Sequence, residues 1–325
     1  MVKKESDWRP LDFKGIKTCS LRERRSKVEV DLFASPLRPG SPFRGFLHSL
    51  PQLLAAEEFK EVVSRIILAV REDKMVLLGM GAHPMKVGLN PLIIDLMERG
   101  VIRALAMNGA GIIHDVEIAM VGRTSEEVEG GLGTGLFGST QETADFINAA
   151  LRDGHREGWG VGKAIGRALQ KEGLPYRETS ICASAFMLGV PLTVHIAIGT
   201  DVVHIHPSTN GSILGELTYR DFRLFASLVA SLEGGVYINL GSAVILPEVF
   251  LKALSAARNL GHKVEDFTTL NMDFIQLYRP LQNVVRRPTS MGGRGFGLTG
   301  HHEIMFPLLA ASIVEGLEGE VSVRP

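Results

Sequence analysis

The chain of 325 residues is 45% hydrophobic and 22% charged, which suffices to bury one large α/β core or two smaller ones. Its net charge of -1 gives no reason to expect general attraction to nucleic acid or to an anionic membrane. Two cysteines are too few for a disulfide framework or a thiolate zinc cage, and without a long apolar window or a leader-like start we expect a cytoplasmic protein.

The first 55 residues differ in composition from the rest of the chain. They are polar, contain the basic run "RERRSK" and are interrupted by Pro36, Pro39 and Pro42. Proline-rich and glycine-rich stretches are typical of loops. We predict an N-terminal arm or lid over residues 1–55 and a single domain over residues 56–325.

From residue 57 onward, helix-like and strand-like segments alternate. The apolar periodicity predicts helices over residues 57–70, 90–100, 220–232, 246–261 and 303–317. Apolar runs predict strands over residues 74–81, 101–109, 190–199, 234–241 and 266–271. This alternation is typical of parallel βαβ units, so we predict an α/β fold with a parallel sheet flanked by helices on both faces.

Two details belong to this prediction. Asn90 is expected to be the N-cap of the second helix, with Pro91 as its first helical residue. A glycine-rich stretch and the helices that follow it, at about residues 123–172, are predicted to be an insertion between two strands.

Polar segments follow most of the predicted strands. They are "GMGAHPMKVG", "NGAGIIHDVE", "GTDVVHIHPSTNGSILGE", "NLGSAVILPE", "NMDFIQLYRP" and "LTGHHE". In an open parallel sheet, ligands bind outside the carboxyl ends of the strands. We therefore expect these segments to converge on one site.

Two of the segments hold glycine turns between a strand and a helix, Gly79-x-Gly81 and Gly109-x-Gly111. A bare backbone at the N-terminus of a helix suits a phosphate group. Neither turn completes the dinucleotide fingerprint, because a proline and a histidine stand at the last glycine position. Tight strand-to-helix connections also use glycine, so the turns leave a structural role open.

Histidines and carboxylates in the same segments offer a second interpretation. His204-x-His206, "HDVE" and "HHE" supply ligand types for zinc or manganese, although no close-spaced metalloenzyme motif occurs. Asp115 and Glu117 also have a structural explanation, since acidic residues near a helix start cap free N–H groups. A metal-dependent hydrolase that uses His204, His206 and nearby carboxylates therefore stays open.

The order of these motifs resembles the deoxyhypusine synthase superfamily from about Lys74 to Leu317. "NGSILGE" is similar to its Asp-Gly-Ser-x-Gly-Asp segment, and "HHEIMFPLLAAS" to its Asp-Ala-Ser-x-x-Phe-Pro-Leu-Leu segment. "NGAGIIHDVE" also resembles a segment of the NAD-binding domain of archaeal ornithine cyclodeaminases. The resemblance implies a modified Rossmann-like sheet, NAD as the cofactor, and a homo-oligomer, usually a tetramer.

The resemblance also implies positions for the cofactor and the substrate. The implied NAD contacts are His83, Gly88, Asn108, Gly109, Ala110, Gly111, Asn210, Gly241, Ser242 and Ala243. His301 aligns with the family's adenosine-side aspartate, and Glu216 corresponds to the acidic residue that faces the substrate.

One departure from the family changes the expected chemistry. The synthases need a lysine after an Arg-Pro pair, but the chain after Arg279 contains arginines and no lysine, and arginine cannot serve as that nucleophile. Arginine forks favour a small substrate that carries an acidic group. The predicted substrate contacts are Asp115, Glu117, Glu248, Arg279 and Arg287.

We therefore predict an NAD-dependent enzyme that removes hydride from a C–N or C–O centre and is not an orthodox deoxyhypusine synthase. His204 or His206 would accept the proton, because histidine titrates near neutrality, and Glu216 would position the substrate. A non-catalytic NAD-sensing protein is the remaining alternative.

Overall fold

An extended N-terminal segment leads into the sheet. The structure is a computed structural model that describes residues 8–318. Between residues 8 and 42, the chain forms two short 3-10 turns, Phe13–Gly15 and Val30–Leu32. Backbone hydrogen bonds from Ser35 N to Ser49 O and from Gln52 N to Leu32 O, both 2.9 Å, tie this segment to the first helices.

Six parallel strands form one sheet. They are β1 (Val76–Met80), β2 (Ala104–Asn108), β3 (Leu192–His195), β4 (Val236–Leu240), β5 (Thr268–Asp273) and β6 (Arg294–Thr299). The strand order is β3-β2-β1-β4-β5-β6, the order of doubly wound dinucleotide-binding folds. The order reverses between β1 and β4, which is the position where doubly wound folds bind their ligands, at the carboxyl edge of the sheet.

Helices connect and cover the strands. They are α1 (Phe43–Ser49), α2 (Leu54–Arg71), α3 (His83–Lys86), α4 (Asn90–Glu98), α5 (Gly109–Val121), α6 (Val128–Thr134), α7 (Gln141–Arg156), α8 (Val161–Lys171), α9 (Ile181–Leu188), α10 (Gly211–Val229), α11 (Ile245–Asn259), α12 (Tyr278–Pro280) and α13 (His302–Glu318). A π-helical turn, Leu281–Arg286, continues α12.

Side chains of the strands alternate between two buried faces. Leu77 and Tyr237 lie on the face that packs against α10 and α11. Leu78 and Ile238 lie on the other face, which packs against α2, α4, α5 and α13. Side chains of α7 and α8 belong to this second core as well, so the helices between β2 and β3 share the core of the sheet.

The edge strand β3 is covered by side chains of α10. Asp221 Oδ2 accepts hydrogen bonds from Val194 N at 2.8 Å and from Gly162 N at 3.0 Å. Thr218 Oγ1 accepts from Ile196 N and donates to Val194 O, both at 2.9 Å. These bonds satisfy backbone groups that an edge strand would otherwise expose. Burial raises the pKa of Asp221 to about 7.

The predicted fold class is confirmed, and the structure corrects three details. Asn90 is the first residue of α4 and does not cap it, because its amide donates to the carbonyl oxygen of Thr179 at 2.9 Å. Helix α10 begins at Gly211, well before residue 220. Helix α9 and strand β6 were not predicted, and β6 contains glycines that interrupt any apolar pattern.

Gly79, which the sequence places in a glycine turn, lies inside β1 and is required by packing within the sheet. A Cβ at Gly79 would collide with the hydroxyl oxygen of Tyr237. The Tyr237 ring stacks on Phe250 at 3.9 Å between centroids, so it has little freedom to move aside. Its buried hydroxyl has no hydrogen-bond partner within residues 8–318.

This packing predicts coupling between two substitutions. Gly79→Ala should lower the free energy of unfolding by roughly 1–3 kcal/mol, the usual effect of overpacking. Tyr237→Phe should be close to neutral, because it removes a hydroxyl that has no partner. The double variant should recover part of the loss. Urea unfolding of all four proteins measures the coupling, and strictly additive effects would contradict the proposed clash.

Candidate active site

Three loops meet at the carboxyl edge of the sheet, those after β1, β4 and β6. A Cβ at Gly81 would collide with the carbonyl oxygen of Gly241. Gly241 has a φ of +63°, and a Cβ there would lie 2.6 Å from Cε1 of His302. Both glycines are therefore needed for close packing of the loops. This contact lies where the strand order reverses.

Two histidines and a carboxylate form a series of polar contacts beside these loops. His83 Nδ1 lies 2.8 Å from Nδ1 of His302. His302 Nε2 lies 3.3 Å from the carbonyl oxygen of Met272 and 3.7 Å from Oδ1 of Asp273. His302 and Asp273 are buried, whereas His83 is half-buried. The series of contacts therefore runs from two buried side chains to a half-buried one.

The hydrogen bonds define the tautomers of the two rings. A carbonyl oxygen only accepts, so His302 donates from Nε2 to Met272 O and its Nδ1 carries no hydrogen. His83 must then donate from Nδ1, which leaves its Nε2 as a free acceptor. Burial lowers the pKa of His302, although Asp273 opposes the shift. The lowered pKa of His302 thus favours a neutral ring whose Nδ1 accepts the hydrogen bond from His83.

Buried amides hold the loops beside this pair. Asn239 Nδ2 donates to Ser242 O at 2.9 Å and to Asn271 Oδ1 at 2.7 Å. Asn271 Nδ2 donates to Gln276 Oε1 at 2.7 Å. These bonds link the loop after β4 to β5 and to the loop that follows β5.

Two aromatic rings, Phe274 and His301, lie beside the histidine pair and form an aromatic platform. The rings of Phe274 and His301 are nearly parallel, with centroids 6.3 Å apart and an interplanar angle of 9°. The ring of His83 lies 6.1 Å from that of Phe274. Phe274 and His301 are both exposed.

The second glycine turn is occupied by protein groups. Asn108 Oδ1 accepts from Gly111 N at 3.2 Å and so caps α5. A Cβ at Gly109 would collide with the carboxylate of Asp201. Gly111 is buried, and Ala110 is half-buried in the same first turn. The N-terminus of α5 therefore already faces a carboxylate.

The predicted proton acceptors His204 and His206 have separate environments. His204 Nδ1 accepts from the backbone N–H groups of Gly199 and Asp201 at 3.1 and 3.2 Å. Its Nε2 lies 3.8 Å from Oδ2 of Asp201, and both side chains are buried. His206 Nδ1 instead lies 3.9 Å from Oδ1 of Asp145 on α7. The structure does not join the two histidines in one site.

Asp115 is buried within the protein. Its carboxylate accepts hydrogen bonds from Ser180 Oγ at 2.5 Å, Ile181 N at 2.8 Å and Cys182 N at 3.0 Å. Burial raises its pKa, and these bonds oppose the shift. Asp115 therefore caps α9, and no surface is left on it for a substrate.

Glu117 and Glu216 also have protein partners. Glu117 accepts a hydrogen bond from the hydroxyl of Thr124. Glu216 forms ion pairs with Arg220 and with Nδ1 of His155, the latter at 2.9 Å. Glu216 lies on α10 facing α7 and is not joined to the histidine pair.

The remaining predicted cofactor residues lie at helix ends. Asn210 caps α10 and accepts from Ser212 N at 3.0 Å. Gly88 follows α3 with a φ of +78°. Ser242 is buried and Ala243 is half-buried between β4 and α11, next to the contact that joins the loops.

Three predicted substrate residues lie together around Asn283. Glu248 Oε1 accepts from Asn283 Nδ2 at 2.8 Å and lies 3.4 Å from Nε of Arg279. Arg287 Nη1 donates to Asn283 Oδ1 at 2.8 Å. Lys252 lowers the pKa of Glu248 most strongly, with smaller contributions from Arg279 and Asn283. This cluster combines one carboxylate with exposed arginines.

A cavity adjoins this cluster between α10 and α11. Its volume is about 350 Å³. Its lining is mainly apolar and includes His195, Thr218, Tyr219, Phe222, Val244 and Glu248. The cavity opens at the carboxyl end of β3, on the same edge of the sheet as the histidine pair.

Sequence reasoning did not single out Asp273 or Asp201, and it considered His302 only as a possible metal ligand within "HHE". A signal for His302 exists, because His302, Phe306 and Leu309 are spaced along one face of α13, and all three are buried. That spacing distinguishes His302 from its exposed neighbour His301. Asp273 is the last residue of a buried strand, and its polarity there was also a signal.

Within residues 8–318, no group of three or more His, Cys, Asp or Glu side chains is arranged to hold a metal ion. Over the same residues, no helix combines the length and the apolar character needed to cross a membrane.

No protein-family model matches the sequence, and no curated protein matches it. Solved structures do match its fold. The arginine dihydrolase ArgZ of the ornithine-ammonia cycle in cyanobacteria has 13% identity and a TM-score of 0.51 over 81% of this chain and 33% of that chain. AgrE in a ternary complex with ornithine and NAD+ has 14% identity and a TM-score of 0.52 over 80% and 33%.

A third structure matches over nearly its whole length. A protein from Entamoeba histolytica, assigned as a deoxyhypusine synthase, has 13% identity and a TM-score of 0.52 over 87% of this chain and 97% of that chain. The likeness to a deoxyhypusine-synthase-like fold is therefore confirmed. The chain spans about a third of the length of ArgZ and AgrE.

The buried His195 predicts a specific dependence of stability on pH. Burial lowers its pKa from 6.5 to about 3, so in that interval the unfolded chain binds a proton that the folded protein does not. Stability from this residue is therefore present above pH 6.5 and is lost as pH falls, by roughly 1.4 kcal/mol per pH unit. His195→Gln should flatten the slope of unfolding free energy between about pH 4.5 and 6.

The matched control is His262→Gln, because His262 is exposed. Denaturant unfolding at several pH values provides the slope for each protein. Equal slopes for the wild type and His195→Gln would show that His195 is not a neutral buried residue.

Proposed function

We propose that this protein binds NAD at the carboxyl edge of the sheet between β1 and β4 and removes hydride from a C–N or C–O centre of a small substrate. The contact between His83 and His302 lies where the strand order reverses, and the proposal rests on this contact. It holds a free imidazole nitrogen where doubly wound folds bind their ligands.

The residues near the carboxyl ends of β1, β4 and β6 suit a planar ring of a dinucleotide. His83, Gly241, Ser242, Ala243 and His301 would hold the cofactor. The exposed stack of Phe274 on His301 suits a planar ring. AgrE, whose fold is similar, forms a complex with ornithine and NAD+, and this supports the choice of cofactor.

The contacts predicted for Asn108, Gly109, Ala110, Gly111, Asn210 and Gly88 stay predictions. At the second glycine turn the Asp201 carboxylate lies against Gly109, and a phosphate there would have to share the N-terminus of α5 with it.

The proposed mechanism assigns the proton to His83. NAD, when bound, supplies the acceptor for the hydride. His83 Nε2 takes the proton from the substrate's N–H or O–H group, while its Nδ1 keeps the hydrogen bond to His302. His302, fixed by Met272 O and near Asp273, holds the His83 ring in the tautomer that leaves Nε2 free.

His83 replaces His204 and His206 in this role. His204 is enclosed by its own loop, and His206 faces α7. Glu216 is paired with Arg220 and His155, and it has no role in the proposed step.

The proposed substrate carries an acidic group. Arg279 and Arg287 are exposed beside Glu248, and guanidinium forks recognise carboxylates. The apolar cavity next to Glu248 would take the carbon chain. A small amino acid or hydroxy acid combines these features. A homo-oligomer, implied by the resemblance to the superfamily, stays a proposal.

The first expected result is thermal stabilisation by NAD. A ligand at a hundred times its dissociation constant raises the free energy of unfolding by about 2.7 kcal/mol. The melting temperature of the full chain should therefore rise in NAD or NADH. If neither changes it, and mass spectrometry of the denatured protein finds no retained nucleotide, the cofactor assignment is wrong.

A second result tests the proton acceptor. His83→Gln keeps a hydrogen-bonding side chain beside the cofactor but cannot act as a base, so turnover at saturating NAD should fall by about 10²–10⁴-fold, while saturating NAD still stabilises the protein. NADH formation is followed with a panel of small amino acids and hydroxy acids. His262→Gln is the matched control and should behave like the wild type. Full activity in His83→Gln would overturn the role of His83, and NAD binding without any turnover would favour the sensing alternative.

A further inference from the structure

A second cavity lies away from the carboxyl edge, around the start of β3. Its volume is about 720 Å³. Trp159, Lys163, Arg220 and Arg223 line it together with the chain around Leu192. We call it the Trp159 cavity. Because Leu192 is the first residue of β3, the cavity lies at the opposite end of that strand from the proposed active site.

The side chains around the Trp159 cavity leave positive charge uncompensated. Within residues 8–318, Lys163 and Arg223 form no ion pair with an acidic side chain, and both are exposed. Arg220 is paired with Glu216. The acid that lines the cavity, Asp221, is buried and directs Oδ2 at the N–H groups of Gly162 and Val194.

Trp159 separates this cavity from a smaller one of about 340 Å³. Lys163 Nζ lies 4.9 Å and Arg167 Cζ 5.3 Å from the centroid of the Trp159 ring. Lys163 lines the larger cavity and Arg167 the smaller one. The smaller cavity is balanced in charge, since its acidic residues Asp153, Glu157 and Glu172 face the basic residues Arg156, Arg167 and Lys171.

We propose that the Trp159 cavity binds a small anion that carries a planar ring, of the nucleoside monophosphate class. Lys163 Nζ lies over the Trp159 ring, and its movement to the phosphate would leave that apolar face of the indole for the ligand's ring. Arg223 and Lys163 would bind the phosphate, since a guanidinium matches it bidentately and an ammonium adds a point charge. A volume of about 720 Å³ lies within the usual range for ligand sites. This site is independent of the proposed NAD site.

Tryptophan fluorescence offers a direct test, because Trp8 and Trp159 are the two tryptophans of the chain. In the full-length Trp8→Phe protein, all tryptophan emission comes from Trp159. Titration with adenosine 5′-monophosphate should change that emission saturably. Adenosine and inorganic phosphate, titrated separately, should each bind at least about tenfold more weakly, a difference of about 1.4 kcal/mol.

Variants locate the site. Arg223→Gln and Lys163→Met, made in the Trp8→Phe protein, should weaken binding of adenosine 5′-monophosphate by about tenfold or more. Arg167→Met is the matched control, because Arg167 contacts the same ring from the smaller cavity, and its affinity should be unchanged. Isothermal titration calorimetry confirms each affinity without relying on the emission of Trp159.

Two sets of results would overturn the proposal. One is the absence of saturable binding at millimolar adenosine 5′-monophosphate, or equal affinity in all variants. The other is adenosine or phosphate binding as tightly as the monophosphate. Stabilisation by NAD should persist in Arg223→Gln; its loss there would show that the Trp159 cavity is the NAD site and would overturn the separation of the two sites.

Discussion

The close approach of Gly81 to Gly241 is the constraint on which the rest of the candidate site depends. At the end of β1 and β4 two loops meet backbone to backbone, because neither residue has a side chain that would keep them apart. The left-handed conformation of Gly241 also leaves room for the ring of His302. His302 can therefore be buried against both loops, and its Nδ1 reaches His83. A side chain at either glycine would disturb the packing that positions the proposed base.

Three buried aspartates lie at the N-termini of helices, where an anionic group of a ligand could otherwise bind. Asp115 caps α9, Asp221 accepts from Gly162 N in the first turn of α8, and Asp201 lies against Gly109 at the start of α5. Free N–H groups and the positive end of the helix dipole favour the carboxylates of Asp115 and Asp221, whereas Oδ2 of Asp201 has no hydrogen-bond partner within residues 8–318. The N-termini of α8 and α9 are thus used by the protein itself, and the carboxyl ends of β1 and β4 are the proposed place for a ligand.

The sequence predicts much of the fold, because strong apolar patterns mark five of the six strands and the main helices. It does not predict β6, since Gly295 and Gly297 weaken the pattern, and Gly295 is required by the close approach of the Val285 carbonyl. The topology places His83 and Gly241 after strands that the sequence predicts, and His301 after β6, which it does not predict. Whether a carboxylate faces inward, as Asp115 does, depends on tertiary packing. No local pattern in one sequence fixes that choice.

The location of NAD on the sheet is the central claim, and hydrogen exchange tests it most directly. Backbone amides of the full-length protein are compared with and without saturating NAD, which should slow exchange where the ligand orders or covers the backbone. The account predicts slower exchange in the segments after β1, β4 and β6, around His83, Ser242 and His301. Protection confined to the chain around Trp159, or to the loop of Asp201, would contradict it, and so would unchanged exchange throughout.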